Sequence, residues 1–405
     1  MATLFRARWV LPIAHPPMRD AWVLTRGGVI LATGGSGTKP PRLTSLAAAD
    51  EMSTLDLGAV AIMPGLVNAH THLELSWMRG RVPPGGSMPE WAARLMAFRG
   101  TVDREPPEPM ADAVREVRAA GTALVGDVTN TLSAYDVVAA SGLGAAIFRE
   151  LLGFSAPDPA SLVEAAEAQI RALPAAPGLR ASIVPHAPYS VSPALLRAIA
   201  EAAGVSAMSV HVGESAEEIR FLRDGTGPWR ELLSRLGVWT DAWSPPGCGP
   251  IDYLDRLGLV TPRLLAVHGT QLEARELARL AQAGATVVAC PRSNRWTGAG
   301  TPPIDAFYAS GVRVAVGTDS LASVEDLNVF AELAALRRLA PAVPASRLLA
   351  SATRDGATAL GFGADFGTIE PGRRASLIAV TVPTAVADVE EYLLSGIEPD
   401  RISWL

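Results

Sequence analysis

From Ala59 onward the chain alternates short apolar, β-prone runs with alanine-rich helical stretches. That rhythm predicts βα units around a parallel sheet, since parallel neighbours must be joined by a crossover, usually a helix. Eight runs read as strands, near residues 61–68, 122–127, 145–150, 181–185, 206–211, 264–268, 285–290 and 312–317. Helices are predicted over 109–120, 160–173, 192–203, 271–283 and 304–310, with two more near 325–338 and 345–360. Eight strands in this alternation make a closed (β/α)8 barrel of TIM type.

The two ends of the chain follow another pattern. Residues 1–58 hold short β-like pieces, such as Ala21–Thr25 and Gly28–Ala32, between glycine and proline turns, with a loop from Gly34 to Pro41. The stretch from Gly367 to Val380 reads as strand, turn, strand. The expected architecture is therefore α/β: a barrel over 59–365, and a small β-sandwich assembled from 1–58 and 366–405.

One segment breaks the rhythm. Residues 223–250 carry Trp229, Trp239 and Trp243 among glycines and prolines, just after the strand that ends at His211. Two readings stand: a surface insertion packing on itself, or an aromatic wall that excludes water and stacks on a flat substrate.

Composition narrows the field. The chain has 405 residues, 49% of them hydrophobic, enough for a large core. A net charge of −6 gives no reason to expect nucleic acid or an anionic membrane as partner. Cys248 and Cys290 form neither a disulfide framework nor a metal-pair spacing. With no signal-peptide core and no membrane-length apolar run, a cytoplasmic protein is expected. Whether it pairs as a homodimer stays open.

The chemistry lies in the histidines. Five of the six stand at or just after predicted strands, in His70-Thr-His72, Pro185-His186, His211-Val-Gly-Glu214 and Val267-His268; Asp319 follows the last strand. Residues two apart on a strand point the same way, so His70 and His72 can both reach one ion. His211 and Asp319 end two further strands at the same face of a barrel. Three imidazoles and a carboxylate suit one divalent metal, Zn(II) or Fe(II). Any one of these residues alone would more simply be a satisfied polar group at the rim; the recurrence at successive strand ends favours ligation. Two-metal barrels of this kind often bridge their ions with a carboxylated lysine on a middle strand. The only lysine here, Lys39, precedes the barrel, so a single metal is expected.

Glu214, three residues past His211, is placed to take a proton from an attacking water and deliver it to a substrate nitrogen. Its plainer reading is a glutamate favoured at a helix N-terminus. His268 is a candidate to position that water, and His186 to contact substrate; His15 reads as a surface residue.

These motifs, with Met63-Pro-Gly-Leu-Val-Asn-Ala, Pro291-Arg-Ser-Asn and Gly317-Thr-Asp-Ser, resemble the amidohydrolase superfamily, in particular its nucleoside and nucleobase deaminase and chlorohydrolase branch. The resemblance spans nearly the whole chain, though Ala375-Ser376 stands where relatives usually have Ala-Asp. It implies a barrel with a β-sandwich, His70, His72, His211 and Asp319 as metal ligands, Glu214 as proton shuttle, and His268 and Asp319 holding the hydrolytic water.

The run His72-Leu-Glu-Leu-Ser, the strand end Phe148-Arg-Glu-Leu151 and the insertion with Gly227-Pro-Trp-Arg-Glu narrow the resemblance to the 6-aminodeoxyfutalosine deaminases of menaquinone synthesis. That implies deamination of a 6-aminopurine nucleoside, with Glu74 near the purine and an arginine on the substrate carboxylate. Arg149 is the first candidate, Arg292 and Arg295 its competitors, and a salt bridge between Glu74 and Arg149 the plainer alternative. Adenosine, S-adenosylhomocysteine, guanine, an amidine or a chlorotriazine are rival substrates, and a non-catalytic scaffold is the remaining rival.

Overall fold

The structure, a computed structural model, describes residues 2–41, 52–102 and 105–405. Residues 1 and 42–51 of the expected 1–58 segment lie outside the described residues. Eight parallel strands form the barrel: β1 (Leu66–Thr71), β2 (Thr122–Thr129), β3 (Gly144–Leu151), β4 (Leu179–Pro185), β5 (Met208–Val212), β6 (Leu264–His268), β7 (Thr286–Ala289) and β8 (Arg313–Val316). They pair in sequence order as two four-stranded halves, β1 to β4 and β5 to β8. Side chains and rim loops close the two seams. Ser182 Oγ donates to the Ala207 carbonyl and His211 N to the His186 carbonyl, at 3.1 and 2.9 Å. Across the other seam Asn68 exchanges two hydrogen bonds with Thr318, and Asp319 N donates to the His70 carbonyl.

Strands β1, β2, β5, β6 and β7 are buried at every position, as expected of a sheet covered on both faces. The helices fall within a few residues of their expected positions, except that 345–360 divides into Ala345–Ser351 and Arg354–Ala359. A helix that the pattern missed, Met88–Arg99, follows β1 and packs against Pro228–Arg235 from the Trp-rich insertion.

The expected strand 61–68 is divided. Val60–Pro64 pairs with Leu377–Thr381 in the sheet built from the chain ends, and only Leu66 onward enters the barrel. Gly65 marks the break: a Cβ there would sit 2.6 Å from Ala123 Cβ. The terminal strands form one mixed seven-stranded sheet, in which Ala2–Val10 is central. Among the described residues no helix is long and apolar enough to cross a membrane.

Candidate active site

The C-terminal strand ends bring together His70 and His72 (β1), His186 (after β4), His211 (β5), His268 (β6) and Asp319 (after β8). The Nε2 atoms of His70 and His211 lie 3.2 and 3.3 Å from His72 Nε2, and Asp319 Oδ1 lies 3.5 Å from it. Ligand atoms about 2.0–2.1 Å from one tetrahedral ion are separated by about 3.3 Å. The cluster therefore has the spacing of a single-ion site.

Electrostatics agree. Burial, reinforced by neighbouring imidazoles, holds His70 well below the ordinary histidine range, and burial with His186 brings His211 down to about 4. Burial also lowers His72. Neutral rings present lone pairs, and His211 Nδ1 donates to the His186 carbonyl at 3.1 Å, which leaves its Nε2 lone pair for a ligand. Several lone pairs converging on one point repel unless a cation lies between them.

Local backbone serves this convergence. His268 and Asp319 both have positive φ, 74° and 65°, a conformation that non-glycine residues adopt at a cost and that is often found at functional sites. Gly317 lets β8 approach β1, since a Cβ there would meet His70 Cβ at 2.7 Å. The helix Pro291–Thr297 explains the Pro291-Arg-Ser-Asn motif: Ser293 Oγ donates to Asp319 Oδ2 at 2.6 Å, and the Asn294 amide donates to His268 Nδ1 at 3.1 Å. His268 consequently carries its proton on Nε2, which faces Glu214 Oε1 at 3.5 Å.

Glu214 precedes the helix Ala216–Asp224, whose N-cap is Ser215, so the helix-terminus reading does not account for it. Its Oε2 is buried without a partner. Burial, then the negative charges of Asp319 and Glu218, push its carboxyl well above the usual range. Glu218 fixes the turn by accepting from Gly213 N and Glu214 N, both at 2.9 Å. Gly213 has φ +60°, and a Cβ would meet Leu272 Cδ2 at 2.6 Å. Gly213→Ala should therefore displace Glu214, lowering both Tm and kcat; circular dichroism and kinetics check this. A Gly213→Ala enzyme with unchanged kcat would show that the turn does not aim the carboxyl.

A cavity of about 730 Å³ opens over the cluster, with His72, His186, His211, Glu214, His268 and Asp319 in its lining. Its walls are apolar, from Met88, Trp91 and Leu95 on one helix and Trp229, Leu232 and Leu233 on another. Trp229 stacks on Tyr189 with centroids 3.9 Å apart. Trp243 and Trp239 instead pack on Phe221 and Phe154, at 4.6 and 5.6 Å. Trp229 thus lines the cavity, while Trp239 and Trp243 pack the insertion on neighbouring aromatic residues.

The substrate-binding expectations need correction. Arg149 is not brought to the cavity: side chains alternate along β3, so Phe148 and Glu150 face one way and Arg149 the other. Its guanidinium donates to Gln169 and to the Glu150 carbonyl in the helix layer. Arg149→Gln should leave kcat/KM near wild type; a large rise in KM would reverse this placement. Arg292 is engaged with Glu332 and Asp326, and Arg295 is exposed; neither lines the cavity.

Glu74 lies on a 3-10 turn, Leu73–Met78, rather than an extended segment. Its carboxylate is saturated by Thr129, Thr131, the Asn130 amide and Arg99, and it does not line the cavity. The arginine at the cavity is Arg99, which sequence reasoning missed along with Asn130, Glu150 and Tyr189. His186 lines the cavity, with Nδ1 2.6 Å from Ser190 Oγ.

A parallel barrel with a buried Glu214–His268 pair beside a converging histidine–aspartate cluster, under an apolar cavity, is the arrangement of a barrel hydrolase. The chain belongs to the amidohydrolase family, whose profile matches residues 61–397. It is 36% identical to an aminodeoxyfutalosine deaminase of Deinococcus radiodurans over 318 residues, 75% of this chain and 74% of that one. Among solved structures it resembles Helicobacter pylori aminofutalosine deaminase in complex with methylthio-coformycin, with TM-score 0.84, 25% identity, and 97% and 95% of the two chains covered. It also resembles an adenosine deaminase of Xanthomonas campestris with bound zinc, with TM-score 0.79, 28% identity, and 99% and 90% covered.

Proposed function

We propose that the chain is a metal-dependent deaminase of a 6-aminopurine nucleoside, with 6-aminodeoxyfutalosine as the favoured substrate and menaquinone synthesis as the setting. The observation that carries this is the pairing of Glu214 with His268 beside the histidine–aspartate cluster on the cavity floor. The relatives' activities support the choice of substrate.

In this reading His70, His72, His211 and Asp319 hold one divalent ion, zinc being favoured by the ligand types and by the zinc-bound relative. Such an ion, when bound, lowers the pKa of an attacking water towards about 7. Glu214 takes the proton of that water and passes it to the purine N1, its buried Oε2 having no other partner. The His268 Nε2–H and Asp319 hold the hydroxyl as it adds to C6; the hydroxyl proton then passes to the exocyclic amine, the C6–N bond breaks, and ammonia leaves a 6-oxo product. His186 contacts the substrate, and the Tyr189–Trp229 pair offers the face on which a planar base rests. The apolar walls exclude bulk water, which strengthens each of these interactions.

The chain divides, on the same reading, into a barrel and a discontinuous β unit from the two ends, with the first boundary moved from 58 to about Gly65 because Val60–Pro64 joins the terminal sheet. Phe5, Val23, Ile30 and Leu377, from four strands of the one terminal sheet, share one buried cluster, which supports a single unit built from both chain ends.

Kinetics on 6-aminodeoxyfutalosine, adenosine, S-adenosylhomocysteine and guanine test the substrate. The highest kcat/KM is expected for the first. A higher value for another member keeps the chemistry and discards that substrate; chloride release from a triazine with no ammonia from any purine would discard both.

A further inference from the structure

We propose that Glu150 reads a sugar hydroxyl of the substrate, and that Asn130 is the residue that positions it. Glu150 is 4% exposed and lines the cavity on β3. Its Oε2 accepts from the Asn130 amide at 2.9 Å. Its Oε1 is buried with no donor. The nearest candidate, His211 Nδ1 at 3.5 Å, already donates to the His186 carbonyl at 3.1 Å. A buried carboxylate oxygen left open in a binding cavity is a vacancy for a donor, since leaving it unmade is costly.

The support behind it is rigid. Asn130 Oδ1 accepts from Arg99 Nη1 at 2.9 Å, and the Asn130 backbone amide donates to Glu74 at 2.9 Å. Arg99 also donates to Glu74 and to Glu105, so it is neutralised from both sides. The network runs from Glu74 through Arg99 and Asn130 and ends at a single open oxygen.

The ligand's chemistry follows from which donors it owns. A 6-aminopurine nucleoside has the exocyclic amine and the sugar hydroxyls; its unprotonated ring nitrogens only accept. C6, which carries the amine, must lie beside Glu214 and His268, on the Nε2 side of His211. Glu150 lies on the Nδ1 side, which leaves it the hydroxyls. This assignment rests on the nucleoside reading above.

The test uses full-length, zinc-loaded wild type, Glu150→Gln and Asn130→Ala, on the best nucleoside of the panel and on its 2′- and 3′-deoxy analogues. Glu150→Gln should lose about 10- to 100-fold in kcat/KM on the hydroxylated substrate, chiefly through KM, as expected for one hydrogen bond to a charged group. On one deoxy analogue wild type and variant should converge, while zinc content stays unchanged. Asn130→Ala should shift KM in the same direction by less. Equal loss on all substrates, loss of zinc, or no loss would each overturn the assignment. Wild type inert on every nucleoside would overturn the reading beneath it as well.

Discussion

Glu214→Gln should lower kcat by about 10²- to 10⁴-fold while leaving the zinc content of the protein unchanged. The substitution is nearly isosteric, and the turn that carries residue 214 is held through backbone N–H groups on Glu218, not through the Glu214 side chain. What disappears is the capacity to accept a proton: the amide cannot shuttle one from water to a ring nitrogen. The buried, unpartnered Oε2 also means that few structural bonds are lost. Metal analysis and steady-state kinetics on one preparation check this. Undiminished kcat would remove Glu214 from proton transfer, and parallel loss of zinc would recast it as a ligand.

Asp319→Ala should cost both metal and activity, and by more than Ser293→Ala. Asp319 supplies a carboxylate to the His70–His72 pair, with Oδ1 3.5 Å from His72 Nε2 and 3.8 Å from His70 Nε2, and burial raises its proton affinity unless a cation offsets it. Ser293 only orients that carboxylate through its 2.6 Å bond to Oδ2. Outer partners of this kind contribute about 10- to 100-fold in metal affinity or activity. A competition titration with a zinc chelator should rank wild type above Ser293→Ala and Ser293→Ala above Asp319→Ala. Wild-type affinity in Asp319→Ala would take that residue out of the ligand set.

The barrel was legible because its strands are apolar runs with helices between them, and runs such as Ala123–Val125 or Leu264–Val267 carry that signal in their own composition. The metal cluster was legible for a related reason. In a parallel barrel a residue at a strand's C-terminal end has one destination, so His70, His72, His211, His268 and Asp319 were placed by chain position alone.

The substrate contacts obeyed finer rules. Arg149 and Glu150 are adjacent in sequence, and only the phase of β3 decides which enters the cavity; an arginine chosen for its charge took the wrong face. Glu74 was placed by extending β1 past its end at Thr71, where the chain turns into a 3-10 helix at Leu73. Arg99, Asn130 and Ser293 act through partners 25, 20 and 26 residues away. Nothing local in the sequence marks such pairs.

The central claim is tested most directly by titrating metal-free protein with zinc and following ammonia release from 6-aminodeoxyfutalosine. Ammonia should appear in step with zinc, one per 6-oxo product formed, and the rate should level off at one ion per chain. A rate that keeps rising to two ions would contradict the single-metal site. Product formed without ammonia, or no product at any zinc loading, would contradict the deaminase itself.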